Sequence, residues 1–133
     1  MPFVSITRLR LRTPWYLPAF FFQTIPVFVQ IKRAPGNLAV DTLQDAKLAF
    51  WTRSVWTDQA SMHAFMLSGA HRKAMPKLAG WCDEASGVNW VQDAATLPDW
   101  NEAHRRLVAG GRKVRVKYPT AAHEALEVPP PRV

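Results

Sequence analysis

Apolar and polar residues alternate in the stretch FVSITRLRLR, residues 3–12, which predicts a strand with Leu9 and Leu11 on one face and arginines on the other. Alternating or β-branched runs also predict strands at residues 38–43, 47–56, 85–93 and 112–118. Apolar positions at helical spacing predict helices at residues 17–33, 58–78 and 99–108. This order is β-α-β-β-α-β followed by a further helix.

Turn and capping residues support these boundaries. The run Ala34-Pro35-Gly36-Asn37 predicts a turn after the first helix. Thr57 or Asp58 is a suitable N-cap for the second helix, and Asp99 lies where the third begins. Within the second helix, Gly69 predicts a bend and Pro76 predicts a break or a last turn.

The predicted order is typical of the α+β class, with a ferredoxin-like βαββαβ subunit and an extra C-terminal helix and tail. We predict one domain over residues 1–118, since 133 residues fit one domain better than two. Residues 119–133 contain three consecutive prolines and are predicted to form an extended tail.

Composition narrows the class of protein. Hydrophobic residues make up 48% of the chain, which is enough for a core. The single cysteine, Cys82, excludes an internal disulfide and a four-cysteine zinc site. It fits a reducing compartment, so we expect a cytoplasmic protein.

The formal net charge of +7 is concentrated near the start of the chain and at residues 105–117. Zinc-finger spacing, RNA-binding aromatic signatures and glycine-rich phosphate loops are absent from the sequence, so nucleic acid is not the expected partner. The apolar segment at residues 15–31 is short for a transmembrane span and contains Pro18 and Pro26. We interpret it as a buried or dimer-facing helix and predict no transmembrane segment.

Candidate chemistry centres on the stretch SVWTDQASMHAFMLSGAHRKAM, residues 54–75. Met62, Phe65 and Met66 share a helix face, which is typical of core packing. His63 is expected at the surface. His71 follows two small residues and lies at the wrong angle to His63 for a shared metal, so it is either a capping histidine or a base, donor or axial ligand.

Aromatic residues flank this stretch, with Trp51, Trp56 and Trp90 on the predicted strands. Tryptophans in such numbers either fill a core or line a pocket for a flat apolar ligand. Arg53 alternates with Trp51 and Val55 and therefore faces the same side, where it would suit an anionic group on that ligand.

These residues resemble a family of uncharacterised bacterial proteins similar to spheroidene monooxygenases, antibiotic-biosynthesis monooxygenases and haem-degrading monooxygenases of the dimeric α/β-barrel superfamily. The resemblance rests on the pattern W-x5-M-x2-F-x3-G-x-H and covers residues 1–118. It implies a homodimer paired sheet to sheet and a pocket between sheet and helices. His71 best matches the haem-binding histidine of such proteins. Cofactor-free members use an asparagine, whereas the first strand here carries Ser5 and Thr7.

Three hypotheses follow. The first is a monooxygenase-like enzyme acting on a flat apolar substrate, with His71 as catalytic base or haem ligand and a substrate pocket built from five residues: Trp51, Arg53, Trp56, Phe65 and Trp90. The second is a non-catalytic small-molecule or haem-binding protein on the same fold. The third is a basic module that binds anionic polymer through residues 105–117.

Overall fold

The computed structural model describes residues 1–132, which form a five-stranded sheet with helices on both faces. The strands are β1 Phe3–Leu11, β2 Asn37–Gln44, β3 Ala49–Trp56, β4 Cys82–Val91 and β5 Arg112–Lys113. The helices are α1 Leu17–Arg33, α2 Gln59–Met66, α3 Gly69–Trp81, α4 Trp100–Gly110 and α5 Ala121–Ala125. The α+β class and the predicted element order are confirmed.

The sheet has the order β2-β3-β1-β4-β5, and every neighbouring pair is antiparallel. The central strand, β1, pairs with β3 on one edge and β4 on the other. Ser5 therefore lies opposite Ser54 and Asn89, and Thr7 lies opposite Thr52. This register decides which polar side chains meet on each face.

Helix boundaries follow their capping residues. The Asp58 carboxylate accepts a hydrogen bond from the Ser61 N–H at 2.8 Å, and Asp99 caps α4 through the Glu102 N–H at 2.7 Å. Gly69 has a positive φ of 59° and separates α2 from α3, so the predicted bend is confirmed. Of the two alternatives predicted at Pro76, the break is wrong and the last turn is right, because α3 continues through Pro76 to Trp81.

The two faces of the sheet bury different helices. We call α1, α2 and α3 the helix layer; it packs on odd-numbered β1 residues such as Phe3 and Leu11. We call the opposite side the α4 face, where Val4 and Ile6 are fully buried under α4. The alternation of a strand places neighbouring residues on opposite faces, and both faces are apolar here.

An ionic cluster lies on the α4 face beyond the end of α4. The Arg8 guanidinium donates to Glu84 at 2.7 Å, and both residues are buried. Arg10 lies 3.3 Å from the same carboxylate and 3.2 Å from that of Asp83. Burial raises the pKa of Asp83, and the nearby Arg10 charge opposes this only in part.

The C-terminal segment closes over this cluster. Thr120 donates to Glu84 at 3.0 Å, and the buried His123 accepts a hydrogen bond from the Ala85 N–H at 3.2 Å. The prediction of a wholly extended tail over residues 119–133 is therefore wrong for Ala121–Ala125, which form α5. Thr120 is the N-cap of α5. The sequence did not predict this short helix, because prolines lie on both sides of it.

The sheet face that would pair with a second copy is covered by α4 of the same chain. Trp100, Ala103 and Leu107 of α4 pack on Val4, Ile6 and neighbouring strand residues. In this chain α4 therefore lies on the sheet face through which the resemblance implies pairing with a second copy.

Candidate functional site

The predicted site residues lie on two different faces of the sheet. Trp56, Phe65 and His71 lie on the side of the helix layer. Trp51, Arg53 and Trp90 lie on the α4 face or at its rim. The sequence placed all of them around one pocket; the structure brings only the first three together.

Trp51 is a core residue. Its side chain is fully buried and packs edge-on against Trp100, with 6.5 Å between ring centroids. Its ring N–H donates to the Asp45 carboxylate at 3.2 Å. With the ring enclosed and its donor occupied, no part of Trp51 is left to contact a substrate.

Arg53 is occupied by partners within the chain. Its guanidinium donates to Asp41 and to the Pro98 carbonyl, each at 2.7 Å, and lies 4.3 Å from the Trp100 ring centroid. These contacts join β2 and β3 to the start of α4. The positive charge predicted to receive an anionic ligand group is therefore already paired.

Trp90 lies at the edge of the α4 face and is half-buried. The Arg106 guanidinium lies 4.6 Å from its ring centroid, and its ring N–H donates to Gln92 at 3.2 Å. This is a packing arrangement between a strand and a surface helix.

Replacement of Arg53 tests this reassignment. We expect Arg53→Met to lower the free energy of unfolding by about 1–2 kcal/mol, because it removes two hydrogen bonds and the stacking on Trp100. Ligand affinity should stay within about twofold, since the guanidinium does not reach the other face. Denaturant unfolding and haemin titration measure the two quantities. Arg105→Met, on the exposed side of α4, is the control; a large loss of affinity at unchanged stability would contradict the assignment.

The three remaining residues form a continuous aromatic cluster. Phe65 lies between Trp56 and His71, with ring centroids 5.4 Å and 4.9 Å away. The Trp56 ring N–H donates to the Ser54 hydroxyl at 3.0 Å, which fixes the ring on the sheet. Met62 and Phe65 of α2 are buried against Trp56, as predicted. Met66, predicted for the same core face, is exposed, so the prediction is wrong for that residue.

His71 is held in a defined tautomer. Its Nδ1 lies 3.0 Å from the Met66 carbonyl oxygen, which can only accept a hydrogen bond. Nδ1 must therefore carry the proton, and in the neutral ring Nε2 has a free lone pair. The backbone N–H of His71 donates to the Gln30 side chain at 2.9 Å, which ties the start of α3 to α1.

Burial also favours the neutral form of this ring. It lowers the pKa of His71, and the hydrogen bond to the Met66 carbonyl opposes that shift only in part. A neutral histidine with its Nδ1–H fixed by a carbonyl is the form that accepts a proton or binds a metal at Nε2.

A polar band crosses the sheet under the helix layer. Two apolar clusters occupy this face, one around Leu11 and Phe20 and one around Phe3 and Trp56. The residues between them on the same face are polar: Ser5, Thr7, Thr52, Ser54 and Asn89. A core would place apolar residues here, so the band marks a gap between the clusters.

Thr7 shows that this gap is open. It lies in the middle of the central strand and is nevertheless exposed. Asn89 is beside it on β4, opposite Ser5, and is half-buried. Sequence reasoning searched the first strand for an asparagine and missed Asn89, because only the pairing of β1 with β4 places it on this face.

A groove of about 740 Å³ runs between α1 and α2 on the outside of the helix layer. Pro26, Val29 and Arg33 form its α1 wall, and Ala64 and Phe65 contribute from α2. Phe65 therefore contacts both the groove and the His71 ring. Residues 1–132 contain no cluster of three or more histidine, cysteine or acidic side chains able to hold a metal ion.

Residues 23–118 match a family model described as "Domain of unknown function (DUF3291)". No curated protein matches the chain at a significant level.

Solved structures share the fold at low sequence identity. A putative antibiotic biosynthesis monooxygenase from Nitrosomonas europaea is 22% identical, with 71% of this chain and 93% of that one covered and a TM-score of 0.63. SnoaB, a cofactor-independent oxygenase from Streptomyces nogalater, is 16% identical, with 74% and 98% covered and a TM-score of 0.57. Rv0793 from Mycobacterium tuberculosis is 12% identical, with 72% and 100% covered and a TM-score of 0.64. These structures confirm the predicted likeness to antibiotic-biosynthesis monooxygenases. They also confirm the predicted ferredoxin-like class of fold.

Proposed function

The chain belongs to the DUF3291 family, and we propose that it is a monooxygenase-like enzyme acting on a flat apolar substrate. The observation that carries this proposal is His71, a neutral ring with a free Nε2 beside buried aromatic residues. Support also comes from solved structures of the same fold whose names include a cofactor-independent oxygenase and a putative antibiotic biosynthesis monooxygenase. Fold alone does not transfer chemistry, so the site has to carry the argument.

In the proposed site the substrate lies between the sheet and the helix layer. The Phe65 ring would contact its apolar surface, with the fully buried Trp56 ring packed behind Phe65 to hold it in place. The hydroxyl groups of the polar band would hydrogen-bond the oxygen atoms of the substrate. His71 Nε2 would take a proton from a hydroxyl group of the substrate. The resulting substrate anion would be electron-rich enough to react with dioxygen.

Haem is the alternative source of oxygen chemistry, and the residues fit it. A histidine that binds iron through Nε2 donates Nδ1–H to a carbonyl or carboxylate, as His71 does to Met66. Bound haem would supply the redox chemistry needed to activate dioxygen. His71 would then hold the group through Nε2 rather than act as the base, and Phe65 would pack against it.

An absorption titration with haemin tests these roles. We expect the wild type to give a Soret shift, and His71→Ala to bind haemin about tenfold or more weakly, since the Nε2 lone pair that would bind the iron is lost. Because the pKa of His71 lies below its ordinary value of 6.5, binding should persist at pH 6.5, where a solvent-exposed histidine is half protonated. His63→Ala, on the exposed side of α2, is the matched control and should bind as the wild type does.

Oxygen uptake separates the remaining outcomes. Uptake with flat aromatic hydroquinones that requires His71, without a Soret shift, would assign a cofactor-free enzyme. Neither haemin binding nor uptake in the folded wild type would overturn the enzyme proposal. It would leave the alternative, a non-catalytic small-molecule binding protein on the same fold.

The homodimer and the cytoplasmic location stay predictions. Sedimentation of the purified chain measures the first prediction directly.

A further inference from the structure

The outer surface of α1 carries an apolar stripe that no other part of residues 1–132 covers. Phe22, Ile25 and Val29 are 77%, 60% and 43% exposed. With Pro18 they have the spacing i, i+4, i+7 and i+11, which is one face of a helix about 16 Å long. Trp15, 87% exposed, extends the stripe in the turn before α1.

This stripe is distinct from the core-facing side of α1. Phe20 and Ile31 on the opposite side are only 4% and 6% exposed and pack on the sheet and α3. The helix is therefore apolar on both sides, while only one side is buried. Of the two alternatives predicted for this helix, a buried one is wrong for the outer side, and a dimer-facing one stays a prediction. Contiguous exposed apolar surface of this kind marks an interaction site.

The charges around the stripe have one sign. Residues 14–33 and 57–81, which make up the helix layer and its connections, contain five basic side chains, all exposed: Lys32, Arg33, Arg72, Lys73 and Lys77. The only acidic residue in these ranges is Asp58, whose carboxylate caps α2. The helix layer, to which the α1 stripe belongs, therefore exposes five cations with almost no compensating charge.

We propose that the helix layer docks on an anionic lipid bilayer, with the α1 stripe inserted among the acyl chains and the five cations on the headgroups. An interfacial helix combines an aromatic and aliphatic face with lysine and arginine beside it, as α1 and α3 do together. Each cation near an anionic membrane surface adds attraction. A second copy on the same surface would instead bring five cations of each chain together.

The docking is peripheral. No helix within residues 1–132 has the length and apolar content to cross a bilayer. The groove between α1 and α2 opens beside the stripe, and Pro26 and Val29 belong to its wall. An apolar molecule dissolved in the membrane would reach Phe65 by this route. The proposal stands whether or not the chain is an oxygenase.

Flotation with lipid vesicles tests the proposal. We expect the wild type to float with vesicles of phosphatidylcholine and phosphatidylserine and to remain behind with phosphatidylcholine alone. Phe22→Ser/Ile25→Ser should bind at least about tenfold more weakly, because it removes two large apolar side chains from the inserted face. Binding should also fall as salt is added. Val108→Ser, an exposed apolar position on α4, is the matched control and should bind as the wild type does.

Four results would overturn the proposal. The first is a folded wild type that does not float with anionic vesicles. The second is equal flotation of wild type and double variant, and the third is equal binding of the wild type to neutral and anionic vesicles. The fourth is a wild-type dimer that the double variant turns into a monomer without vesicle binding, which would assign the stripe to a second copy. Circular dichroism checks that the double variant is folded, since both residues lie outside the core.

Discussion

Glu84→Gln should lower the free energy of unfolding by about 3–5 kcal/mol, although it changes one atom. The Glu84 carboxylate neutralises Arg8, whose side chain is 5% exposed and lies 2.7 Å away. An amide cannot compensate that charge, and the Arg8 Nε is already buried without a hydrogen-bond partner among the described residues. The substitution leaves an uncompensated charge inside the protein, which is the costly case. Urea unfolding followed by tryptophan fluorescence measures the difference.

An exposed ion pair in the same chain supplies the control. Glu102 and Arg106 lie one turn apart on α4, 3.6 Å from each other, with side chains 36% and 48% exposed. Glu102→Gln should cost no more than about 0.5 kcal/mol. Equal effects of the two substitutions would refute a buried, structural role for Glu84. The double replacement Arg8→Met/Glu84→Leu should recover much of the loss, since it removes both charges.

The same carboxylate sets a pH dependence. Burial alone would raise the pKa of Glu84, but hydrogen bonds from Arg8 and Thr120 and the charges of Arg8 and Arg10 outweigh it and lower the pKa. A group with a lowered folded-state pKa stabilises the fold above its ordinary pKa and loses that effect as the pH falls. The wild type should therefore lose stability below pH 4.5, the ordinary glutamate value, more steeply than Glu84→Gln.

Trp51→Ala should destabilise the protein by about 3–5 kcal/mol, because it leaves a cavity in the middle of the core under α4. Trp51 is the largest of the fully buried side chains, together with Trp56. The loss also leaves the Asp45 carboxylate without one of its donors. Thermal unfolding and denaturant titration check this value.

A milder change keeps the prediction testable if the alanine variant does not fold. Trp51→Phe keeps most of the ring and removes the N–H donor, so we expect about 1–2 kcal/mol. Trp15→Ala, at an exposed position, should stay within about 0.5 kcal/mol. If Trp51 were a substrate contact, Trp51→Phe would instead lower haemin or substrate affinity and leave stability unchanged.

Local sequence signals determined most of the fold. The alternation in residues 3–12 predicts a strand, and β1 spans Phe3–Leu11. The apolar segment beginning at Leu17 predicts a helix, and α1 ends at Arg33 before the predicted turn. Asp58 caps α2 as predicted. Asp99, predicted in the first turn of its helix, is the N-cap one residue before it. These features depend on residues a few positions apart, which is why a single sequence carries them.

The candidate site depended on contacts far apart in the chain. Strand alternation correctly grouped Trp51, Arg53 and Val55 on one side of β3. It could not show that α4, some 50 residues later, returns to cover that side. Because α4 covers the side with Trp51 and Arg53, those two residues have structural roles. His71 and Phe65 lie on the opposite side of the sheet. Asn89 was missed for the same reason.

The central position of β1 has a consequence for how the chain folds. Its two neighbours, β3 and β4, are made about 40 and 80 residues later, so β1 has no partner when it leaves the ribosome. Closing such long loops is entropically costly and slows folding, whereas the β2–β3 hairpin is local. The hairpin is expected to form early and β1 to dock into it afterwards. Until β4 is synthesised, one hydrogen-bonding edge of β1 stays unpaired. We therefore expect the nascent chain to be most prone to aggregation during this interval.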